Sequence, residues 1–234
     1  MEESKKMLPE EENSKYIIVN EKITAERFVV FLDIMGFKDR VGRTNHEDLK
    51  QLLSDFNNDI TNLIGKHRGK NNIQLAQFSD SIVLFSGDAT KESLLLVATI
   101  ACEIMAKAIE LGIPLKGAIS EGKMTCDMTK QLFFGQALID AYLLEENVQY
   151  YGVVAHHSIE KMILESGEKN LFRDIKVPLK SGSISHFELA WYRVTGEVGH
   201  IIEKLNDIRQ TVSDAPRKYI DNTLDIINSD TLYY

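Results

Sequence analysis

An α+β fold is predicted by three features of the chain. Its 234 residues are 44% hydrophobic and 26% charged, enough apolar material for one well-buried core. Short β-rich apolar runs are interleaved with longer stretches at helical spacing. Two of the short runs, Gln74–Phe78 and Ile82–Phe85, meet across the polar triplet Ser79-Asp80-Ser81, the pattern of a hairpin.

Each element can be justified in order. Residues 1–22, with the acidic run Glu10-Glu11-Glu12, read as a flexible, solvated tail, and Met1 to Lys15 lacks the apolar centre of a signal peptide. Arg27 to Asp33 is a continuous apolar run ended by a carboxylate, as in a strand buried on both faces. Met35-Gly36-Phe37 follows as a loop. From His46 to Ile64, Leu49, Leu52, Phe56, Ile60 and Leu63 recur at helical spacing, and Gly65 closes that helix. Lys66 to Asn72 is a basic turn before the hairpin. Gly87-Asp88 then punctuates, and a second helix runs from Ala89 to Leu111 until Gly112 and Pro114 stop it. Leu115 to Ser120 resumes a strand. The order strand–helix–strand–strand–helix–strand is that of a ferredoxin-like βαββαβ core with helices on one face of the sheet.

Downstream, Leu132–Phe134 reads as a short strand and Ala137–Glu146 as a helix. Tyr151–Ala155 is a strand, Ser158–Glu165 a helix, and Ser185–Val194 a late strand carrying Trp191 and Tyr192 as core or dimer-contact aromatics. Val198–Val212 and Ala215–Ile227 read as two helices parted near Pro216. With no repeat and no Gly/Ser linker, the chain divides into the tail 1–22, one domain over 23–196 and a C-terminal helical extension over 197–234.

Charge narrows the partners. A formal net charge of −8 argues against a nonspecific DNA or RNA binder, whose footprint is basic. A negatively charged substrate would need a local cation or a metal ion. Cys102 and Cys126 offer neither a disulfide framework nor zinc spacing and read as reduced structural thiols. The greasiest stretch, Leu94 to Met105, is too short and too polar to span a bilayer, so a cytoplasmic protein without a membrane partner is expected.

Asp33 and Asp80 carry the chemistry. Each interrupts apolar sequence, one at a strand end and one at a hairpin tip, and in a β-α-β-β unit those strands are neighbours. Two anions brought together repel, and burial adds to the cost. One or two divalent cations relieve it, and oxygen donors without nearby His or Cys favour Mg²⁺ or Mn²⁺ over zinc. Either aspartate alone could simply cap a turn. The loop Ile34-Met35-Gly36-Phe37-Lys38 places a glycine and a lysine beside the first carboxylate, where backbone N–H groups can face an anion. His156-His157 points its rings apart and reads poorly as a metal pair.

These residues bring a family into view. Phe31-Leu32-Asp33-Ile34-Met35-Gly36-Phe37 resembles the F-x-D-I-x-G-F signature that opens class III nucleotide cyclases. Phe78-Ser79-Asp80-Ser81-Ile82-Val83-Leu84-Phe85 resembles their second metal motif, usually a Gly-Asp hairpin. Leu115-Lys116-Gly117-Ala118-Ile119-Ser120-Glu121-Gly122 is similar to the strand motif L-R-x-G-I-x-x-G. Phe134-Gly135-Gln136-Ala137 through Ala141-Tyr142-Leu143-Leu144-Glu145 is similar to the helix F-G-x-x-V-N-x-A-S-R-x-E. The resemblance implies two metal ions, Mn²⁺ or Mg²⁺, held by Asp33, Asp80 and the Ile34 carbonyl, with the two aspartates as catalytic residues. It implies attack of a ribose 3′-hydroxyl on the α-phosphate, giving a cyclic nucleotide and pyrophosphate. Met35, Gly36 and Phe37 would contact substrate, Lys116 stands where the family has an arginine, and Lys180 lies near its late phosphate-binding lysine. It also implies a homodimer with sites at the subunit interface.

Three positions depart from the purine cyclases. Ala76 stands where they place a base-reading Lys or Glu, and Ile139 and Leu143 where they place a transition-state Asn and Arg. The short layout resembles the pyrimidine cyclases of Pycsar antiphage defence. In that family cyclic UMP or cyclic CMP activates a separate effector, and an aromatic five residues before the first metal Asp, here Phe28, contacts the base. Alternation along a strand puts Phe28 and Asp33 on opposite faces, so that contact needs a bulge or a base bound across a dimer, and the alternative reading of Phe28 is a core aromatic. The expected activity is therefore conversion of UTP to 3′,5′-cyclic UMP. The alternatives are a cytidylate cyclase making cyclic CMP, a purine cyclase reading its base elsewhere, and a degenerate cyclase fold that binds nucleotide without turnover.

Overall fold

The computed structural model describes residues 22–67, 72–194 and 196–231. Most of the expected tail, 1–22, and part of the basic turn at 66–72 lie outside the described residues.

Strand β1 (Thr24–Ile34) leads into a short helix α1 (Phe37–Arg43) and then α2 (His46–Lys66). The hairpin is β2 (Gln74–Phe78) and β3 (Ser81–Phe85), followed by α3 (Lys91–Glu110). After it come β4 (Leu115–Asp127), β5 (Leu132–Gly135) and α4 (Gln136–Glu145). Strand β6 (Val153–Ala155), helix α5 (Glu160–Ser166) and the antiparallel pair β7 (Phe172–Leu179) and β8 (Gly182–Leu189) complete the sheet, and α6 (Val198–Thr211) and α7 (Ala215–Thr231) end the described chain. Side chains cap the long helices: Asn45 Oδ1 accepts from the Glu47 amide at 2.9 Å, and the Thr90 hydroxyl accepts from Ser93.

One sheet runs in the order β2-β3-β1-β4-β6-β8-β7, with β5 paired to β4. The central strand β1 is antiparallel to β3 and to β4, and β4 is parallel to β6. Its residues alternate between two cores, because successive side chains point to opposite faces. Phe28, Val30, Leu32 and Ile34 enter the principal core with α3 and the inner residues of α2, α6 and α7. Val29 and Phe31 enter a smaller core with Phe85, Met124, Cys126, Ala137 and Ala141.

The α+β class and the βαββαβ order hold, with the core helices α2 and α3 packed on one face of the sheet. Beyond that core, α4 lies across the opposite face on β1 and β4. Small residues permit this close seat: a Cβ on Gly122 would come within 3.3 Å of the Ala137 nitrogen.

Other elements differ in extent. Helix α1 replaces the expected continuation of the loop, and β4 extends seven residues beyond Ser120, to Asp127. Strand β7, not foreseen, is the last strand of the sheet, where Pro178 can be tolerated because an edge strand need not donate every N–H. Trp191 and Tyr192, expected in the late strand, sit in a 3₁₀ turn instead, both buried in the principal core. The C-terminal helices contribute Ile201, Leu205, Ile220 and Ile227 to that same core, and Arg193 Nε donates to Asp230 Oδ2 at 2.7 Å. Both cysteines are buried thiols outside any disulfide, and the Cys126 thiol donates to Gln74 Oε1 at 2.9 Å. Among the described residues no helix is long and apolar enough to cross a membrane.

Candidate active site

The hairpin and β1 bring Asp33 and Asp80 to one end of the sheet. Asp33 pairs in register with Ser81 on β3 and with Lys116 on β4, and side chains of such partners share a face. The Ile34 amide donates to the Asp80 carbonyl at 3.0 Å, which fixes the hairpin tip beside the end of β1. Ser79 takes φ 57° at this turn, a conformation an L-residue adopts at some cost and glycine adopts freely.

The electrostatics report crowding of negative charge. Asp33 is half-buried, and its carboxyl is pushed up to about 6, first by burial and then by the charges of Glu145 and Asp80, with Lys116 pulling the other way. Glu145 is pushed up as well, chiefly by burial, while Lys116 and Lys180 oppose the shift. Glu145, the last residue of the helix motif, has no role that the sequence alone assigns. It ends α4, is 3% exposed, and its Oε1 lies 2.6 Å from Lys116 Nζ.

The remaining expected residues fall into place unevenly. Gly36, at φ 71°, makes the left-handed turn between β1 and α1, and Met35 and Phe37 pack half-buried against the principal core. The amides of Ile34 and Met35 already donate to Asp80 and Pro114, so these two N–H groups do not form the anion cradle expected of the loop. Lys180 is exposed in the β7–β8 turn, close enough for its charge to act on Glu145. Lys116 is only 7% exposed and donates to the Glu145 carbonyl at 2.8 Å, so it is engaged within the protein and not presented to a phosphate. Phe28 is 0% exposed in the principal core, on the face away from Asp33, and no bulge interrupts its register with β4, so the base contact expected of it has no support in its placement.

A cavity of about 680 Å³ opens on the Asp33 face. Phe31, Ala76, Gln77, Ser81, Ile139 and Tyr142 are among its walls, and none of its lining side chains carries a formal charge. The Phe31 and Tyr142 rings meet edge to face at 5.5 Å, and the Tyr142 phenol is raised first by its hydrogen bond to Glu146 and, among smaller causes, by the Asp33 charge. Ile139 and Leu143 are each 51% exposed on α4 and bring no polar group to the site. A larger cavity of about 790 Å³ lies elsewhere, against the Trp191–Arg193 turn and α7, and its Arg193 and Asp230 are already paired with each other.

The donor chemistry fits a hard divalent cation. Two carboxylates and a neighbouring main-chain carbonyl form an all-oxygen set of the kind Mg²⁺ and Mn²⁺ prefer, and the Asp33 carboxyl, raised first by burial and then by Glu145 and Asp80, is one whose ionised form a cation would stabilise. Among the described residues no group of three or more His, Cys, Asp or Glu side chains is placed to hold a metal, so further ligands would have to come from substrate or water.

No family model and no curated protein matches this chain. Solved structures do match in fold. The adenylyl cyclase CyaB from P. aeruginosa aligns with TM-score 0.55 and 16% identity, over 71% of this chain and 94% of its own. The guanylate cyclase domain of RhGC from Catenaria anguillulae, in complex with GTP, aligns with TM-score 0.54 and 16% identity, over 71% and 96%. The dimeric guanylyl cyclase domain of the RhoGC fusion protein from Blastocladiella emersonii aligns with TM-score 0.51 and 17% identity, over 70% and 94%. The chain therefore has the fold of adenylyl and guanylyl cyclase domains.

Proposed function

We propose that this chain is a metal-dependent nucleotide cyclase that converts UTP to 3′,5′-cyclic UMP and pyrophosphate. The observation that carries the proposal is the convergence of Asp33 and Asp80 at one end of β1 and the β2–β3 hairpin, joined by the Ile34–Asp80 hydrogen bond. Residues 23–196 would form the cyclase unit, with 197–234 as its helical extension. Asp33, Asp80 and the Ile34 carbonyl would hold two Mn²⁺ or Mg²⁺ ions, which supply Lewis-acid stabilisation of the ribose 3′-oxygen and the phosphates.

The chain's own residues divide the remaining work. The 3′-oxygen attacks the α-phosphorus, its proton leaves to water, and the bond to the pyrophosphate oxygen breaks. The Gly36 turn and the first residues of α1 border the triphosphate, and Lys180 is free to reach its outer phosphates. The base enters the uncharged cavity, where Ala76, on the Asp33 face of β2, offers neither donor nor acceptor. A purine edge is left without a charged partner there. Nothing in that lining separates uracil from cytosine, so CTP is the competing substrate.

An exposed apolar surface favours a homodimer. Phe78 is 85% exposed, and Phe134, Ile139 and Leu143 are each half exposed around α4 and β5, a patch of the kind that marks an interface. The Blastocladiella neighbour is a non-canonical dimer. In a cytoplasmic Pycsar-type system, the cyclic nucleotide would be a second messenger for a separate effector in antiphage defence, without nucleic-acid or membrane partners.

One observation favours a second reading, a fold that binds nucleotide without turnover: α4 presents Ile139 and Leu143 and no cation. Incubating the purified protein with Mn²⁺ and each NTP separates the possibilities. Cyclic UMP is the expected product. Product from ATP or GTP alone would remove the pyrimidine assignment, and affinity without any product would favour the binding module.

A further inference from the structure

We infer that Glu145 is a positioning residue, holding the buried ammonium of Lys116 away from Asp33 so that the Asp33 carboxylate stays open to a divalent cation. It rests on the proposal that Asp33 binds metal, and adds a function for a pair that the proposed reaction does not use.

The geometry sets up a choice for Lys116. It stands directly opposite Asp33 on the neighbouring antiparallel strand, where partner Cβ atoms are typically about 5 Å apart, well within a lysine's reach. Its charge acts on Asp33. Among the described residues, however, its ion pair is with Glu145, at 2.6 Å, and its second contact is the Glu145 carbonyl, at 2.8 Å. One residue thus offers the ammonium both a carboxylate and a carbonyl, the latter shared with the Val148 amide at 3.0 Å, from the C-terminal end of α4, where a cation is favoured.

Burial makes the choice binding. A lysine ammonium this enclosed must keep a counter-charge, because an unpaired buried charge is strongly destabilising. Without the Glu145 carboxylate, the facing anion is Asp33. A Lys116–Asp33 pair would neutralise the carboxylate and occupy an oxygen that a cation needs. The same double contact ties the end of α4 to β4, so the helix that walls the cavity is fixed relative to Asp33.

Direct binding of Mn²⁺ alone, by titration calorimetry without nucleotide, tests this. Wild type is expected to bind and D33N to lose binding. E145Q is expected to bind at least tenfold more weakly than wild type, and K116M/E145Q, with no ammonium to misplace, to return to within about threefold of it. Unchanged Mn²⁺ affinity in E145Q would overturn the inference, as would a loss that persists in K116M/E145Q, which would make Glu145 a ligand itself. If E145Q does not fold, the double variant carries the test on the same terms. Failure of wild type to bind, or equal binding by D33N, would instead overturn the metal proposal and the inference with it.

Discussion

The amide of Ile34 donates to the carbonyl oxygen of Asp80 across 3.0 Å. That bond closes the end of β1 onto the tip of the hairpin, so two carboxylates distant in sequence share one corner of the sheet. Without a cation the corner is electrostatically unfavourable, as the raised Asp33 carboxyl shows. The fold tolerates that cost because β1 is held on both sides, by β3 and β4, and buried in two cores.

The first prediction concerns pH. The Asp33 carboxyl titrates near 6 in the folded chain and near 3.8 when unfolded, so the folded state binds more protons between those values. Its contribution is most favourable below about pH 4 and is lost as pH rises through 6. D33N should therefore match wild type at pH 4 and exceed it at pH 7.5 in metal-free buffer, by on the order of 2 kcal/mol. Thermal melts at the two pH values measure this. Equal differences at both would contradict the stated electrostatics.

A second prediction concerns the hairpin. Ser79 holds φ 57°, where glycine avoids the Cβ strain of about 1–2 kcal/mol that other L-residues meet. S79G should raise unfolding stability by about 1 kcal/mol, less the added freedom of glycine in the unfolded chain. Denaturant unfolding reads the change, and a loss of 1 kcal/mol or more would show that the serine side chain contributes something the backbone conformation does not explain.

A third prediction concerns assembly. If the α4 and β5 face meets a second copy, I139D places a charge in an apolar interface and should weaken self-association at least tenfold while leaving the fold intact. Sedimentation of both proteins over a concentration series, with circular dichroism as the check on folding, is decisive. An I139D protein that dimerises like wild type would move the interface elsewhere.

Much of this was legible in the residues. The apolar run ending in Asp33, the hairpin around Asp80 and the long α2 and α3 carry strong periodic signals, and all lie close to where spacing places them. Helix α1 left no such signal, because it has no buried residue. Strand β7 was hidden by Pro178 and by the charged residues Arg173, Asp174 and Lys176 along its edge. The site was legible to the same degree. Its two aspartates stood out because each broke an apolar run. Glu145 closes an almost wholly apolar helix, and periodicity alone cannot say which side of such a helix faces the sheet. Strand alternation had already set Phe28 apart from Asp33, and the principal core is where that alternation leads. Lys116 could be taken for a phosphate ligand until its partner on α4 was known.

The measurement that bears most directly on the whole account is product formation from UTP by wild type, D33N and D80N in Mn²⁺, followed by mass spectrometry. Cyclic UMP from wild type, with at least a thousandfold loss in each variant, is the predicted result, since the proposed metal chemistry supplies most of the charge stabilisation. Cyclic UMP formed at wild-type rates by both folded variants would contradict it.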